Sequence, residues 1–472
     1  MQNNNQNIDD KTYIASLIER AIKAQKEIEH LSQRRVDEIA ATIIYTFSRD
    51  DMAQKIAEMA YEETGMGKIE SKVGKLRDKL PAILYDVLPQ KTVGIIEEIP
   101  EKGLIKIGKP LGIIAAIIPA TNPEATPVFK GMLGLRGRNA VISSPSRRSF
   151  NTTNYVINVM RQILKENGLP EDLFICVEEP STSRSVELMR QCDVTMATGS
   201  GSMVKSAYSS GKPALGVGAG NAVVIIDETA DIDDVVKKII IGKTGDNASG
   251  CSAENSIIVN ESIYDELIEK FQENSCYLMN EAEKQKLKET LWIDGKLNRK
   301  LVARPAHVIG TEVGIDMPKD TNMILVEETG AGKGFPFSQE KMSLVLTVYK
   351  YSDFDEAIET LNTIQRNSGF GHSCGIHSKN DENIFKLALN SYTVKVLVRQ
   401  PHGAGNSGNW FNGLANTFSL GCGSWGGNSV SENITQKHFI NTTWVSYPID
   451  RDKASDEEIY KDLLNDVKII KL

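Results

Sequence analysis

The sequence predicts an α/β protein with two doubly wound α/β blocks and a β arm. Short, continuous apolar runs alternate with segments of helical periodicity, which is the pattern of parallel sheets covered by helices on both faces. This alternation occurs twice along 472 residues, a length typical of more than one domain. Hydrophobic residues at 40% and charged residues at 25% are sufficient for a large core.

Helical periodicity opens the chain from Tyr13 to about Ala60, with apolar residues at three- and four-residue spacing. The stripe is formed by Ile14, Leu17, Ile18, Ala21 and Ile22. We expect it to face the core, and the alternative is a helix that binds a partner or an encapsulating shell. Two β-like runs, VGIIEEI and GLIKIGK, then flank Pro100 and Gly103 and predict a hairpin arm at about 92–110.

Two successive blocks of strands and helices follow the arm. In the first, LGIIAAIIP, NAVISSP, LFICVEE and DVTMAT are predicted strands, and AVVIID is expected to close the block at about residue 227. In the second, strands are predicted near SIIV, NMILVEE, LVLTVY, CGIHS and VKVLV. The predicted boundaries are 1–228, 229–425 and a C-terminal return at 426–472.

Composition and charge exclude several classes of protein. A formal net charge of −8 argues against a nucleic-acid-binding surface, and no apolar run reaches the ~20 residues of a membrane helix. The first residues carry no basic segment followed by an apolar one, so a cytoplasmic location is expected. Six cysteines without a CxxC pair predict neither a zinc site nor a disulfide scaffold, and no metal is expected.

Glycine-rich turns are the first candidate binding features. TGSGSM follows a predicted strand and opens a helix, so its backbone N–H groups suit a phosphate, although an ordinary turn has the same sequence. Its candidate residues are Thr198, Gly199, Ser200 and Gly201. GVGAGN precedes a strand and is interpreted as a structural or site-lining turn, and GAGKGF lacks the spacing of a P-loop.

Two further segments carry candidate functional side chains. SSPSRRS follows a buried strand, where two arginines either clamp a phosphate or form a solvated pair at a helix start. Its candidate residues are Ser143, Pro145, Arg147 and Arg148. Cys251 lies in the small-residue loop GDNASGCSAENSIIV, which leaves a sulfur accessible and lets backbone N–H groups converge on it. A buried, inert thiol is the alternative for any cysteine.

These motifs occur in one order with IPATNP, GKPALGVGAGN, EKM, GFGHSCGIHS and LGCGSWGGNSVSENIT. Together they resemble the CoA-acylating branch of the aldehyde dehydrogenase superfamily over roughly residues 10–448. The resemblance implies a cofactor-binding domain at 1–228, a catalytic domain at 229–425, and an arm and C-terminal segment that form a homodimer or homotetramer.

The resemblance also assigns roles to matching residues. Cys251 would attack the aldehyde carbon, and Asn122 would bind the oxyanion together with the Cys251 backbone N–H. Glu340 would hold the nicotinamide ribose and the 199–201 turn the cofactor phosphates, whereas His372 would assist the thiol of CoA or be structural. Where hydrolytic members carry a glutamate, this chain reads GVGAGN, so the thioester would persist until CoA attacks it.

Three departures from the family pattern concern cofactor and substrate. Leu344 replaces the proline of EKMxPVL, and we expect this to shift the ribose-binding Glu340 slightly. Arg147 stands where proline is usual and favours NADP over NAD. Arg399, with His402 and either Asn406 or Asn409 nearby, suits an anionic tail such as that of sulfoacetaldehyde or succinate semialdehyde, unless Arg399 forms a surface salt bridge.

Three rival functions remain at this level. The same chemistry on acetaldehyde would make no use of Arg399. Reduction of an acyl phosphate on the same fold would not require CoA. A non-catalytic, microcompartment-associated relative would have no need for Cys251, Asn122 and Glu340 together.

Overall fold

The fold is described here for residues 9–468 from a computed structural model. Residues 1–8, at the start of the predicted first domain, and residues 469–472, at the end of the predicted C-terminal segment, lie outside this range. The helices are α1 Asp10–Glu27, α2 Gln33–Ser48, α3 Asp50–Thr64, α4 Ile69–Gly74, α5 Leu80–Val87, α6 Thr126–Arg136, α7 Phe150–Glu166, α8 Thr182–Gln191, α9 Gly201–Tyr208, α10 Ile232–Thr244, α11 Tyr264–Glu273, α12 Glu281–Leu291, α13 Ala306–Val313, α14 Phe354–Asn367, α15 Asp381–Asn390, α16 His402–Gly405 and α17 Asp456–Tyr460.

The strands form two parallel sheets, a β arm and a short hairpin. They are β1 Gly94–Ile99, β2 Leu104–Lys109, β3 Ile113–Ile118, β4 Ala140–Pro145, β5 Phe174–Cys176, β6 Val194–Thr198, β7 Ala214–Val217, β8 Ala222–Ile226, β9 Glu254–Asn260, β10 Cys276–Leu278, β11 Trp292–Ile293, β12 Lys296–Leu297, β13 Met323–Glu327, β14 Val345–Tyr351, β15 Cys374–His377, β16 Val396–Val398 and β17 Asn441–Ser446.

The N-terminal periodicity is divided among three helices. Asp9 and Ser32 accept backbone N–H bonds at the starts of α1 and α2, which breaks the continuous pattern into separate helices. Four of the five residues of the predicted stripe are buried or half-buried, as expected for a core face. Ile22 is the exception, with 40% of its surface exposed, because it lies one residue round the helix from the buried Ala21.

The first sheet has the order β5-β4-β3-β6-β7, and all its strands are parallel. Strand order reverses at β3, since β4 and β5 lie on one side of it and β6 and β7 on the other. A crevice forms at the carboxyl ends of the strands at such a reversal. The TGSGSM turn follows β6 at this edge and leads into α9, as the sequence predicts.

The second sheet has the order β10-β13-β14-β9-β8-β15-β16 and is also entirely parallel. The predicted strand AVVIID, here β8, pairs with β9 and β15 in this sheet. Its assignment to the first block, with a boundary after it at 228, is therefore wrong. A fully buried strand has no polar face, so its sequence does not indicate which sheet it joins.

The predicted hairpin is confirmed as β1 paired with β2, with Gly103 at φ 60° after the turn. The C-terminal return is also observed, because β17 adds to β2 as a third antiparallel strand. Among residues 9–468, no helix combines the length and apolarity needed to cross a bilayer.

Candidate active site

Cys251 lies in the loop between α10 and β9, at the amino edge of the second sheet. The side chain is half-buried, whereas Cys192, Cys276, Cys374 and Cys422 are buried. Three consecutive residues of this loop have positive φ angles: Asp246 at 48°, Asn247 at 52° and Ala248 at 57°. Such conformations cost roughly 1–3 kcal/mol each and cluster at functional sites, because the surrounding structure must hold them.

His372 contacts the sulfur of Cys251. Its Nε2 atom lies 3.3 Å from Cys251 Sγ, and its ring is 1% exposed. His372 precedes β15, which is next to β8 in the sheet, so its loop and that of Cys251 meet at the same edge. The family resemblance implies that His372 assists the thiol of CoA. The structure adds a direct contact of His372 with the sulfur of Cys251.

The electrostatics of this pair favour the neutral forms. Burial raises the pKa of the Cys251 thiol to about 12, helped by Glu340 and Cys422. Burial also lowers the pKa of His372 well below its usual value, and the charge of Lys395 lowers it further. The resting site therefore holds a thiol beside a neutral imidazole, and the imidazole is available to accept the thiol proton.

A hydrogen-bonded ring holds this pair. His372 Nδ1 lies 2.7 Å from Ser373 Oγ, and Asn406 Nδ2 donates to both Ser373 Oγ and Ser252 Oγ at 2.9 Å. Ser252 follows Cys251 in the chain, so the ring connects the base back to the nucleophile. Asn406 was expected beside the substrate tail, and it instead supports the serines on either side of the reacting pair.

His402 also supports the cysteine loop. Its Nδ1 atom lies 2.7 Å from Ser252 O, its backbone N–H donates to Glu254 Oε1 at 2.7 Å, and its ring is completely buried. Burial lowers the pKa of His402 to about 4. The ring lies beneath the loop and is neutral, so His402 offers no positive charge to an anionic substrate.

Arg399 lies at the opposite edge of the second sheet. Its backbone N–H donates to Ile376 O at 2.8 Å and its Nη1 to Ser378 O at 2.6 Å, both at the carboxyl end of β15. Ser378 lies five positions after Ser373 along the strand, about 16 Å away at ~3.3 Å per residue. Arg399 therefore does not reach the site of Cys251, and the structure contradicts its predicted role in substrate binding. The position of Arg399 after a predicted strand does not show whether that end of the strand lies at the edge of the sheet that carries Cys251.

The cation at the edge of Cys251 is Lys395. Its backbone carbonyl accepts the N–H of Cys374 at 3.0 Å, which places it at the amino end of β16 beside the loop of His372. Its half-buried side chain donates to Asn433 Oδ1 at 2.6 Å. Burial lowers the pKa of Lys395 to about 8, so the ammonium is mostly charged at neutral pH. Sequence analysis missed this residue.

Asn122 is tied to the cysteine loop. It follows β3 at the carboxyl edge of the first sheet, and its Oδ1 accepts from Lys75 Nζ, which also donates to the Asp246 carboxylate. Ser249 Oγ in turn donates to Asp246 at 2.7 Å. The carboxyl edge of the first sheet is thus joined to the amino edge of the second through Lys75 and Asp246, five residues before Cys251.

Glu340 lies close to the nucleophile. The Gly220 N–H donates to Glu340 Oε1 at 3.2 Å, and a Cβ on Gly220 would lie 1.9 Å from the carbonyl oxygen of Cys251. The interpretation of GVGAGN as a site-lining turn is therefore confirmed. Burial raises the pKa of Glu340 to about 8, so the carboxyl is mostly protonated at neutral pH.

The predicted phosphate turn is open to a ligand. Ser200 accepts the Met203 N–H at 3.4 Å and caps α9, and Thr198 Oγ1 lies 3.4 Å from Ser419 Oγ. A Cβ on Gly201 would meet no atom within 4 Å, so free space lies beside the start of the helix. This geometry suits an anion.

The SSPSRRS segment follows β4 at the same edge of the first sheet. Ser143 and Pro145 are buried, whereas Arg147 and Arg148 are exposed. Arg147 Nε donates to Pro180 O at 2.7 Å, which holds the guanidinium at the surface near the end of the strand. The two arginines are thus available to a phosphate, and the side chains of Ser143 and Pro145 are not.

Comparison with known proteins agrees with this geometry. Residues 6–286 match the aldehyde dehydrogenase family. A sulfoacetaldehyde dehydrogenase of Acholeplasma sp is 44% identical over 96% of this chain and 95% of its own length, and an acylating sulfoacetaldehyde dehydrogenase of Bilophila wadsworthia is 42% identical over 95% and 98%. An acetylating succinate-semialdehyde dehydrogenase of Clostridium kluyveri is 40% identical over 92% and 95%. The crystal structure of an acetylating aldehyde dehydrogenase from Geobacillus thermoglucosidasius superposes with a TM-score of 0.89 and 33% identity, covering 94% of this chain and 98% of that one.

Proposed function

From the premise that this chain belongs to the aldehyde dehydrogenase family, and to its CoA-acylating enzymes, we propose that it converts a small anionic aldehyde to an acyl-CoA. Sulfoacetaldehyde is the first candidate, and succinate semialdehyde and acetaldehyde are the alternatives. The observation that carries the chemistry is the neutral His372 ring 3.3 Å from the sulfur of Cys251.

The first step forms a thiohemiacetal on Cys251. His372 Nε2 takes the thiol proton, and the thiolate attacks the aldehyde carbon, so that an S–C bond forms and the carbonyl π bond breaks. Negative charge develops on the aldehyde oxygen. The Nδ2 group of Asn122 and the backbone N–H of Cys251 are the proposed donors to that oxyanion.

Oxidation requires a hydride acceptor, and the residues at the first sheet fit a nicotinamide dinucleotide. The strand-order reversal at β3, the open space beside Gly201 and the capped start of α9 suit a pyrophosphate. Glu340 is the proposed partner of the nicotinamide ribose. When bound, the cofactor supplies the acceptor for the hydride of the aldehyde carbon. The carbonyl re-forms on Cys251 as a thioester, and His372 releases its proton to solvent.

CoA then completes the reaction. His372, neutral again, takes the proton of the CoA thiol, and the resulting thiolate attacks the thioester carbonyl. The tetrahedral adduct expels the thiolate of Cys251, which recovers the proton from His372. Hydrolysis is expected to be slow at neutral pH, because GVGAGN supplies no carboxylate to activate water and the Glu340 carboxyl, with a pKa of about 8, is mostly protonated.

For the cofactor we propose NADP. Arg147 and Arg148 are exposed at the carboxyl end of β4. The Nε of Arg147 donates to Pro180 O, and its terminal nitrogens form no hydrogen bond within residues 9–468, so they remain available to a phosphate. Arg147→Ala is expected to lower the ratio of kcat/KM with NADP to that with NAD by about tenfold, the loss of one charge-assisted contact. An unchanged ratio would remove the basis of the proposal for NADP.

The proposed anionic substrate takes Lys395 as its counter-ion in place of Arg399. Lys395 lies on the edge that carries His372, and its charge acts on both His372 and Cys251. Lys395→Met is expected to raise KM for sulfoacetaldehyde about tenfold or more and to leave KM for acetaldehyde unchanged. Arg399→Ala is the control, and its KM for both aldehydes is expected to equal that of the wild type.

We propose that the protein is a homo-oligomer, because the arm exposes apolar side chains. Apolar side chains are exposed on and beside the β1-β2-β17 sheet: Ile95 and Trp444 on opposite faces, at 48 and 49%, and Tyr447 just after β17, at 57%. Three strands without a covered apolar face are weakly stable alone, so a second copy is the expected cover. Light scattering of the full chain distinguishes a dimer or tetramer from a monomer.

The central experiment measures initial NADP reduction with sulfoacetaldehyde, with and without CoA. Sustained turnover only with CoA supports acyl transfer and the anionic substrate together. Turnover on acetaldehyde but not on sulfoacetaldehyde would keep the reaction and discard the anionic substrate. Sustained turnover without CoA would contradict the role given to CoA.

A further inference from the structure

A π-helical turn at Lys75–Lys79 joins α4 to α5 and directs two lysines toward the site. Lys75 donates to Asn122 and Asp246, and Lys79 donates to Ser407 O at 2.9 Å and to Asn416 Oδ1 at 2.8 Å. Turns of this kind are rare and frequently mark functional sites. One turn of the N-terminal helices thus contacts the loops of both proposed oxyanion donors.

Lys75 belongs to a buried cluster of four charges. Its ammonium lies 3.3 Å from Glu124, and the ammonium of Lys72 lies 3.6 Å from Glu124 and 3.8 Å from Asp246. Exposure ranges from 0% for Lys72 and Glu124 to 18% for Lys75. The two cations and two carboxylates have a net charge of zero, so each buried charge has a partner of opposite sign that offsets its desolvation. Burial alone would lower the pKa of Lys75, but the two carboxylates outweigh it and raise the pKa, so the cation persists at neutral pH.

Asp246 connects this cluster to the strained cysteine loop. Its carboxylate accepts the Lys68 N–H at 2.8 Å and the Ser249 hydroxyl at 2.7 Å, in addition to Lys75. It also packs on Gly67, where a Cβ would lie 1.9 Å from Asp246 Oδ1. The positive φ angles of residues 246–248 therefore persist because the carboxylate is held from several sides.

The chemistry of Lys75 determines the orientation of the Asn122 amide. An ammonium has donors and no acceptor, so the amide can face Lys75 only with its oxygen. Its NH₂ group must then point away, and nothing among residues 9–468 accepts a hydrogen bond from it. If the partner could both donate and accept a hydrogen bond, either the oxygen or the NH₂ group of the amide could face it.

We propose that Lys75 is a positioning residue that orients the Asn122 amide for the oxyanion and ties it to the Asp246 loop carrying Cys251. The inference rests on the oxyanion role proposed above for Asn122. Lys75 touches neither substrate nor cofactor. It acts by making the two donors, which come from different sheets, parts of one rigid arrangement.

A double-mutant cycle tests the proposal. Asn122→Ala is expected to lower kcat for acyl-CoA formation about 10²–10³-fold, the usual loss for one oxyanion donor. Lys75→Met is expected to lower kcat about 10- to 100-fold, with KM for the aldehyde within threefold. The double variant is expected to be no slower than Asn122→Ala, because Lys75 acts through that amide.

Alkylation of Cys251 by iodoacetamide provides a second readout. This displacement develops no oxyanion, so Lys75→Met is expected to alkylate at a rate within threefold of the wild type. Lys72→Met is the matched control, since it removes one cation from the same cluster but no bond to Asn122. It is expected to lower the melting temperature as much as Lys75→Met and to lose far less kcat.

The outcomes distinguish the positioning role of Lys75 from the oxyanion role of Asn122 on which it rests. Additive losses in the cycle, or equal kcat losses in Lys72→Met and Lys75→Met, would overturn the role of Lys75. No loss in Asn122→Ala alone would instead overturn the oxyanion role of Asn122. Should Lys75→Met not fold, Lys75→Gln takes its place in the cycle, because a glutamine both donates and accepts and no longer fixes the amide.

Discussion

Substitution of Gly220 by alanine is expected to displace the nucleophile. A Cβ at this position would lie 1.9 Å from the carbonyl oxygen of Cys251, 2.7 Å from its carbonyl carbon and 3.0 Å from its Cβ. Carbon atoms in contact prefer about 3.5 Å, so the backbone of Cys251 has to move by about 1 Å. A displacement of that size costs about 10²-fold in rate, or about 2.7 kcal/mol of transition-state stabilisation.

The assay is CoA-dependent formation of reduced cofactor, measured as kcat and KM, together with the melting temperature. Gly245→Ala is the matched control in the cysteine loop, because Gly245 is exposed, has a φ of −55° that alanine adopts, and has open space at its Cβ position. We expect Gly245→Ala to retain wild-type kcat. A Gly220→Ala enzyme within threefold of the wild type would refute the reasoning, and an equal loss in both variants would show that the contact with Cys251 is not its cause.

Three further predictions concern the titration and support of the site. The rate of alkylation of Cys251 in the free protein, measured by peptide mass spectrometry, is expected to increase about tenfold per pH unit from pH 7 to 9. The reason is that the pKa of this thiol is raised to about 12, so the thiolate fraction rises with pH over this range. A rate that reaches a plateau below pH 8 would contradict this. CoA-independent release of the free acid is expected to increase as the pH rises through about 8, where Glu340 becomes a carboxylate base, and Glu340→Gln is expected to lose that increase. Ser373→Ala removes the partner of His372 Nδ1 and is expected to lower kcat about tenfold, the worth of one hydrogen bond, while a rate equal to the wild type would show that the ring does not orient the imidazole.

Many features of this protein are determined by short stretches of sequence. The alternation of buried strands and helices, the hairpin around Pro100 and Gly103, and the turn from β6 into α9 each depend on neighbouring residues. The loop of Cys251 belongs to this group, since its small residues by themselves distinguish it from the buried cysteines. Periodicity and turn chemistry act within one element, so they can be recognised before the fold is known.

Other features depend on which distant segments meet. Arg399 is predicted to bind the substrate because it follows a strand of the catalytic lobe, yet β16 ends at the edge away from Cys251 and begins just after Lys395. The strand β8 joins the second sheet although it follows the first block directly. Sheet order and strand direction come from pairing between separate elements, and a buried apolar strand carries no mark of its partners.

The network around the nucleophile shows the same division most clearly. The sequence by itself determined that a small-residue loop presents Cys251 and that Asn122 follows a buried strand. Only the tertiary structure brought Lys75 between Asn122 and Asp246, which lie 47 and 171 residues from it, and set Ser373 and Asn406 around His372. The physical reason is that a hydrogen bond between distant residues depends on the packing of whole elements, which no local pattern encodes.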